Sequence, residues 1–239
     1  MRSGRVLIIA AVVAVGGVLI IMLTIHYLQN QPCGSEIRPI INTAQNISGL
    51  TLDVPLNVII ASGETKVSYN DSEISHFVEF SNDVWNQAGI RFYIKSIQYI
   101  AVPEDRAMPP RDGIGSELCK FGRDFLGTEF EDAVIDVVII KNFVDKPNGG
   151  GRTLNQGIIG AIFINEFDDD YRANWTLSHE LGHVLNLNHM PGKDNLMFNA
   201  DLQDGISEER STTLTSEQVE AARNRAYAIH CPGLSCVRD

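Results

Sequence analysis

Between Leu177 and Phe198 the chain reads LSHELGHVLNLNHMPGKDNLMF and carries three of its six histidines. His179 and His183 are four positions apart, so on a helix turning about 100° per residue they stand one above the other. Glu180 lies beside that face. Leu177, Leu181, Val184 and Leu185 fall on the other side of the wheel, which anchors the helix in a core while its polar edge meets a cleft. Two imidazoles and a carboxylate on one rigid support suit a divalent metal ion and a base for water.

His189 follows His183 by six residues, too far round for the same helical face. A helix ending near Asn186 with a chain reversal would return His189 to the first two histidines as a third ligand. Such a reversal needs left-handed backbone, and after Gly the residue that best tolerates it is Asn. Three nitrogen ligands leave one position of tetrahedral Zn²⁺ for water, the mark of a catalytic rather than a structural site.

HExxH, a third His at 189, and Asn195, Leu196 and Met197 beyond it together resemble the metzincin family of zinc endopeptidases, whose motif is HExxHxxGxxH followed by a Met in a tight turn. The resemblance implies His179, His183 and His189 as ligands of one Zn²⁺, Glu180 as general base and Met197 as the Met-turn residue. Asn186 departs from the family's Gly, and Asn199 stands where some members carry a Tyr that reaches the metal. The fold it implies is α+β: a zincin catalytic domain with a twisted mixed sheet, an active-site helix, the Met-turn and a C-terminal helix. The strand before the metal helix lies at the sheet edge in that family and pairs with extended substrate. By position this is Ile158, Ile159, Gly160, Ala161, Ile162 and Phe163. A rival within the zincins takes the third ligand from a downstream Glu, such as Glu208, Glu209 or Glu217.

The elements that must position these residues read as follows. Leu56, Val58 and Ile60 alternate after Pro55 as a strand opening the domain. Asn70 and Glu73 form a capping pair for a helix with Ile74, Phe77, Val78, Val84, Trp85 and Ala88 on one face, stopped at Gly89. Ile90, Phe92 and Ile94 alternate with Arg91, Tyr93 and Lys95 as a second strand. Ser116 to Leu126 reads as a short helix, and Val134 to Ile140 as a buried strand because it is β-branched and nearly unbroken. Asn148 to Gly151 reads as a flexible turn, and Ile158 to Ile164 as another strand. Asp168, Asp169 and Asp170 read as solvated charge near a helix N-terminus, with a Ca²⁺ site as the lesser alternative. Thr215 with Gln218 makes a capping box, with Leu214 and Val219 as its staple, for a last helix ending near Ile229.

The chain has 239 residues, 44% of them hydrophobic, enough for one well-buried domain and a tail. A net charge of −11 without a basic cluster argues against nucleic acid as a partner. Val6 to Ile25 is an uncharged, largely apolar run long enough to span a bilayer, and no small-residue cleavage site follows it. Arg2 and Arg5 precede it, so the N-terminus is expected in the cytoplasm and the domain outside. Residues 1–5 are then a cytoplasmic tail, 6–28 a transmembrane signal anchor, 29–54 a stalk and 55–239 the catalytic domain, with a secreted form if the anchor is cleaved. Cys33, Cys119, Cys231 and Cys236 fit disulfides outside the cell, with three pairings open. A minor alternative gives the Cys33 thiolate the open zinc position as a latency switch. The expected function is zinc-dependent cleavage of proteins or peptides; the rival from another class is a catalytically inactive, zinc-containing surface binding protein.

Overall fold

A computed structural model describes residues 49–63, 67–103, 134–141, 151–156, 159–166, 170–198 and 211–230. All of them belong to one compact unit, Glu36–Asp239; the other, Met1–Ser35, lies outside the described residues. So do the Val6 to Ile25 run, all four cysteines, Ser116 to Leu126, Ile158, Asp168, Asp169, Asn199, Glu208 and Glu209. Among the described residues no helix is long and apolar enough to cross a membrane.

Among the described residues five strands and three α-helices follow one another as β1 (Leu52–Ser62), α1 (Asp71–Trp85), β2 (Ile90–Ala101), β3 (Ile135–Ile140), β4 (Gly151–Gln156), β5 (Ile159–Asn165), α2 (Asp170–Val184) and α3 (Ser216–His230). The sheet runs in the order β2-β1-β3-β5-β4. β2, β1, β3 and β5 are parallel, and β4 runs antiparallel to β5. This is a mixed sheet in an α+β arrangement.

β1 begins at Leu52, inside the expected stalk, because Leu52 and Val54 are as fully buried as Leu56. Pro55 is tolerated there because pairing with β3 starts only at Leu56, so at that point one flank carries no ladder for a missing N–H to break. Leu52, Val54, Leu56, Val58 and Ile60 join the core shared with the helices, while Ile59 and Ala61 join a second apolar cluster. That division is the period-2 alternation of a strand. All six residues of β3 are buried, as its unbroken β-branched composition requires of a central parallel strand.

α1 starts on a complete capping box. Asn70 Oδ1 accepts the N–H groups of Ser72 (2.9 Å) and Glu73 (3.2 Å), and Glu73 Oε2 accepts the Asn70 N–H (2.8 Å). After a 3₁₀ turn at Asn86–Ala88, Gly89 ends the run at φ 58°. The face with Ile74, Phe77, Val78, Val84 and Trp85 is buried, and each such side chain contributes roughly 1.5–3 kcal/mol. Asn82 then clips α1 to β2, donating to the Phe92 carbonyl (3.0 Å) and accepting its N–H (2.7 Å).

Two expectations need correction. The turn expected at Asn148 to Gly151 gives way, at Gly151, to strand β4. β5 is consequently internal, held by β3 on one side and β4 on the other, so Ile159, Gly160, Ala161, Ile162 and Phe163 do not form the sheet edge. Among the described residues that edge is β4.

Candidate metal centre

α2 is a buried helix: every residue from Ala173 to Gly182 is inaccessible or nearly so, and His183 is half-buried. Trp85 fixes its level by donating from Nε1 to the Ser178 carbonyl (3.2 Å), beside a Ser81–Ser178 hydroxyl pair (3.0 Å). Asn174, in an N-x-T triplet, is interior and unavailable for modification in the folded protein.

His179 Nδ1 lies 2.8 Å from the Leu196 carbonyl oxygen, and His183 Nδ1 lies 2.8 Å from that of Leu187. A carbonyl only accepts, so both Nδ1 atoms carry the proton and both Nε2 atoms, in the neutral rings, present a lone pair. His189 Nε2 stands 3.3 Å from His179 Nε2 and 3.1 Å from His183 Nε2. Its own proton, if placed on Nε2, could serve only one of those neighbours. Two or three lone pairs converging on one point repel unless a cation lies among them. Tetrahedral zinc with Zn–N bonds of 2.0–2.1 Å places its nitrogens about 3.3 Å apart, so the donor set fits the ion. The three histidines are the only metal-ligating cluster among the described residues. Glu217, the described member of the rival ligand set, stands exposed in the first turn of α3. Hydrogen bonds with its own backbone N–H and Thr215 hold its carboxyl below the usual range there.

The reversal that returns His189 is built as the spacing requires. Asn186 sits at φ 68°, the only described non-glycine residue with positive φ. Leu187 N–H donates to the Gly182 carbonyl (2.9 Å) and Asn186 N–H to that of His183 (3.0 Å), the paired bonds of a Schellman motif. Leu185 N–H serves Leu181 (2.9 Å), and Arg225 Nε of α3 reaches the Val184 carbonyl (3.4 Å). All four terminal carbonyls of α2 are thereby answered. Burial holds the Arg225 pKa below its ordinary value.

Beyond His189 the chain turns back beneath the helix. Met190 N–H bonds the Met197 carbonyl (2.9 Å), and Phe198 N–H closes the turn on the Asn195 carbonyl (3.1 Å). Met197 is fully buried with its Sδ packed against Gly182, so any Cβ at 182 would collide with it. A glycine inside a helix is costly, and here the sulfur takes the space it leaves.

Glu180 is buried, and its carboxylate Oε2 accepts a short hydrogen bond from the Thr153 hydroxyl of β4. The same oxygen of Thr153 lies 3.1 Å from the Glu180 backbone carbonyl. Gly151 opens β4 where an added Cβ would come within 2.5 Å of Glu180 Cγ and 2.8 Å of its Cδ. Trp175 stacks on the His179 ring with centroids 4.6 Å apart, its Nε1 donating to the Ser211 carbonyl (3.1 Å). Thr153 and Gly151 escaped the sequence reading because nothing local marks them. Trp175 carried a usable signal, its i, i+4 spacing to His179.

The sequence matches the model of the Peptidase_M78 family (IrrE N-terminal-like domain) over residues 133–230, the segment holding the three histidines and Glu180. A comparison with curated proteins finds no match. Among solved structures the chain is similar to metalloproteinase-II from Bacteroides fragilis, with a TM-score of 0.52 and 12% identity over 74% of this chain. It spans 55% of that protein's length. It is also similar to a variant of promirolysin from Tannerella forsythia, with a TM-score of 0.51 and 13% identity, covering 77% of this chain and 83% of that one. These likenesses establish a shared fold.

Proposed function

We propose that the chain is a zinc-dependent endopeptidase of metzincin type, acting on proteins or peptides. One observation carries the proposal: three imidazole nitrogens converge with separations suited to tetrahedral zinc, beside a buried carboxylate oriented by a hydroxyl. The match to a peptidase family over the same segment supports it, as does a fold shared with a metalloproteinase.

His179, His183 and His189 would hold the ion, and zinc in such a site acts as a Lewis acid and makes water acidic near neutral pH. Glu180 takes the proton of the attacking water on its carboxylate and returns it to the leaving amine. Burial sharpens this role, because a carboxylate shielded from bulk solvent exchanges its proton with the reactants rather than with water around it. Thr153 holds the carboxylate in one rotamer, and Met197 supports the helix from below. Among the described residues β4 forms the sheet edge, where an extended peptide would add as a further strand. The apolar Val6 to Ile25 run and the even number of cysteines support an anchored domain working outside the cytoplasm.

The test is incubation of the purified full chain with denatured protein, with and without a chelator. Cleavage is expected only without it, and Glu180→Ala is expected to keep zinc and lose cleavage. A metal-loaded Glu180→Ala that still cleaves would refute the assigned base, and a zinc-loaded wild type that cleaves nothing would favour the binding protein.

A further inference from the structure

The first ligand of the centre is held from a distance. Asn195 and Gln218 are both buried, and their side-chain amides pair head to head. Asn195 Nδ2 donates to Gln218 Oε1 (2.7 Å), and Gln218 Nε2 donates to Asn195 Oδ1 (3.1 Å). Each oxygen accepts a second bond: Asn195 Oδ1 from the Met197 N–H (2.9 Å), and Gln218 Oε1 from the Thr215 N–H (2.9 Å).

The Met197 N–H and the Leu196 C=O belong to one peptide unit, planar and trans. Asn195 Oδ1 holds that plate at its N–H end. The C=O at its other end is therefore aimed where His179 Nδ1 meets it, at 2.8 Å. The Leu196 N–H, bonded to the Thr213 carbonyl (2.8 Å), pins the preceding unit as well.

We infer that Gln218, on the first turn of the C-terminal helix α3, is a positioning residue for His179, acting through Asn195 and the peptide between Leu196 and Met197. The inference rests on the zinc reading above. The residue type supports it. At this place in a capping box Glu serves as well as Gln, since only an acceptor for the Thr215 N–H is needed. Glu has no N–H for Asn195 Oδ1. An amide is required by the clasp and not by the cap, so the two roles of Gln218 can be separated.

Gln218→Glu is the discriminating variant, with Gln218→Met as a neutral second and Glu166→Gln, whose carboxylate is bonded by Lys141 and Ser68, as a control for lost stability. In the full chain, zinc affinity is measured by chelator competition, and ligand geometry by the visible spectrum of the Co²⁺-substituted protein. Gln218→Glu is expected to bind zinc about 10-fold or more weaker, as loss of an outer partner of a ligating histidine does. Its Co²⁺ bands shift, while Glu166→Gln keeps both wild-type values. Wild-type affinity and spectrum in Gln218→Glu would overturn the inference. If neither variant at 218 folds, hydrogen exchange on the wild type decides: zinc must slow the Met197 and Thr215 amides more than that of Ser68, and equal slowing overturns it. None of these readouts uses cleavage. A wild type that binds zinc but cleaves nothing defeats the peptidase reading alone; a cleaving enzyme whose zinc affinity and Co²⁺ spectrum are indifferent to Gln218 defeats this one alone. A wild type that holds no zinc defeats both.

Discussion

The Thr153 hydroxyl of β4 donates to the Glu180 carboxylate of α2, joining β4 to the residue proposed as general base. A hydrogen bond to a charged group contributes about 1.5–3 kcal/mol, so its loss leaves Glu180 free to leave its working rotamer. Thr153→Val is expected to lower kcat by about 10- to 100-fold with zinc content unchanged, and Thr153→Ser to recover most of it. Gly151→Ala should act on the same carboxylate from its other side by displacing Cγ. Steady-state kinetics with metal analysis checks both, and a Thr153→Val enzyme as fast as wild type removes the orienting role.

Gly182 gives an inverted outcome. Alanine normally stabilises a helix interior by about 0.8–1 kcal/mol relative to glycine. Here the new methyl meets the sulfur of a fully buried Met197, with its Cε at 3.1 Å. Overpacking costs about 1–3 kcal/mol. Gly182→Ala should therefore have a lower Tm than wild type by thermal denaturation, and a raised Tm would show that the floor yields.

Acid stability should depend on Glu166. Burial alone would raise its pKa, but hydrogen bonds from Lys141 and from Ser68 (2.8 Å) outweigh that, and the net effect is a lowered value. A carboxyl depressed in the folded state adds stability that is complete above its unfolded pKa, about 4.3, and lost as pH falls through the folded value. Tm should fall across that acid window, and Glu166→Gln should be less stable at pH 7 with a shallower acid slope. An unaltered slope in the variant would count against the assignment.

Much of this was legible because it is local. The Asn70 and Glu73 box, the Asn186 reversal and the pairing of Thr215 with Gln218 each lie within a few residues, where side-chain chemistry fixes backbone geometry directly. β4 was not legible. Its sequence, GRTLNQ, has no apolar alternation, and it is a strand only because β5 pairs with it. The edge position that the resemblance gave to the strand before α2 is held, among the described residues, by β4, one strand earlier. The start of α2 was legible in its charge, since the helix opens at Asp170, where acidic side chains favour an N-terminus.

The stacking of Trp175 on His179 also makes the protein its own indicator. With two tryptophans in the chain, Trp175 facing the ligand and Trp85 bonded to the helix that carries it, indole emission should report occupancy of the centre directly. Titration of a divalent ion then needs no added dye, and the Trp175→Phe protein separates the signal of the ring beside the imidazole from that of the ring behind the helix.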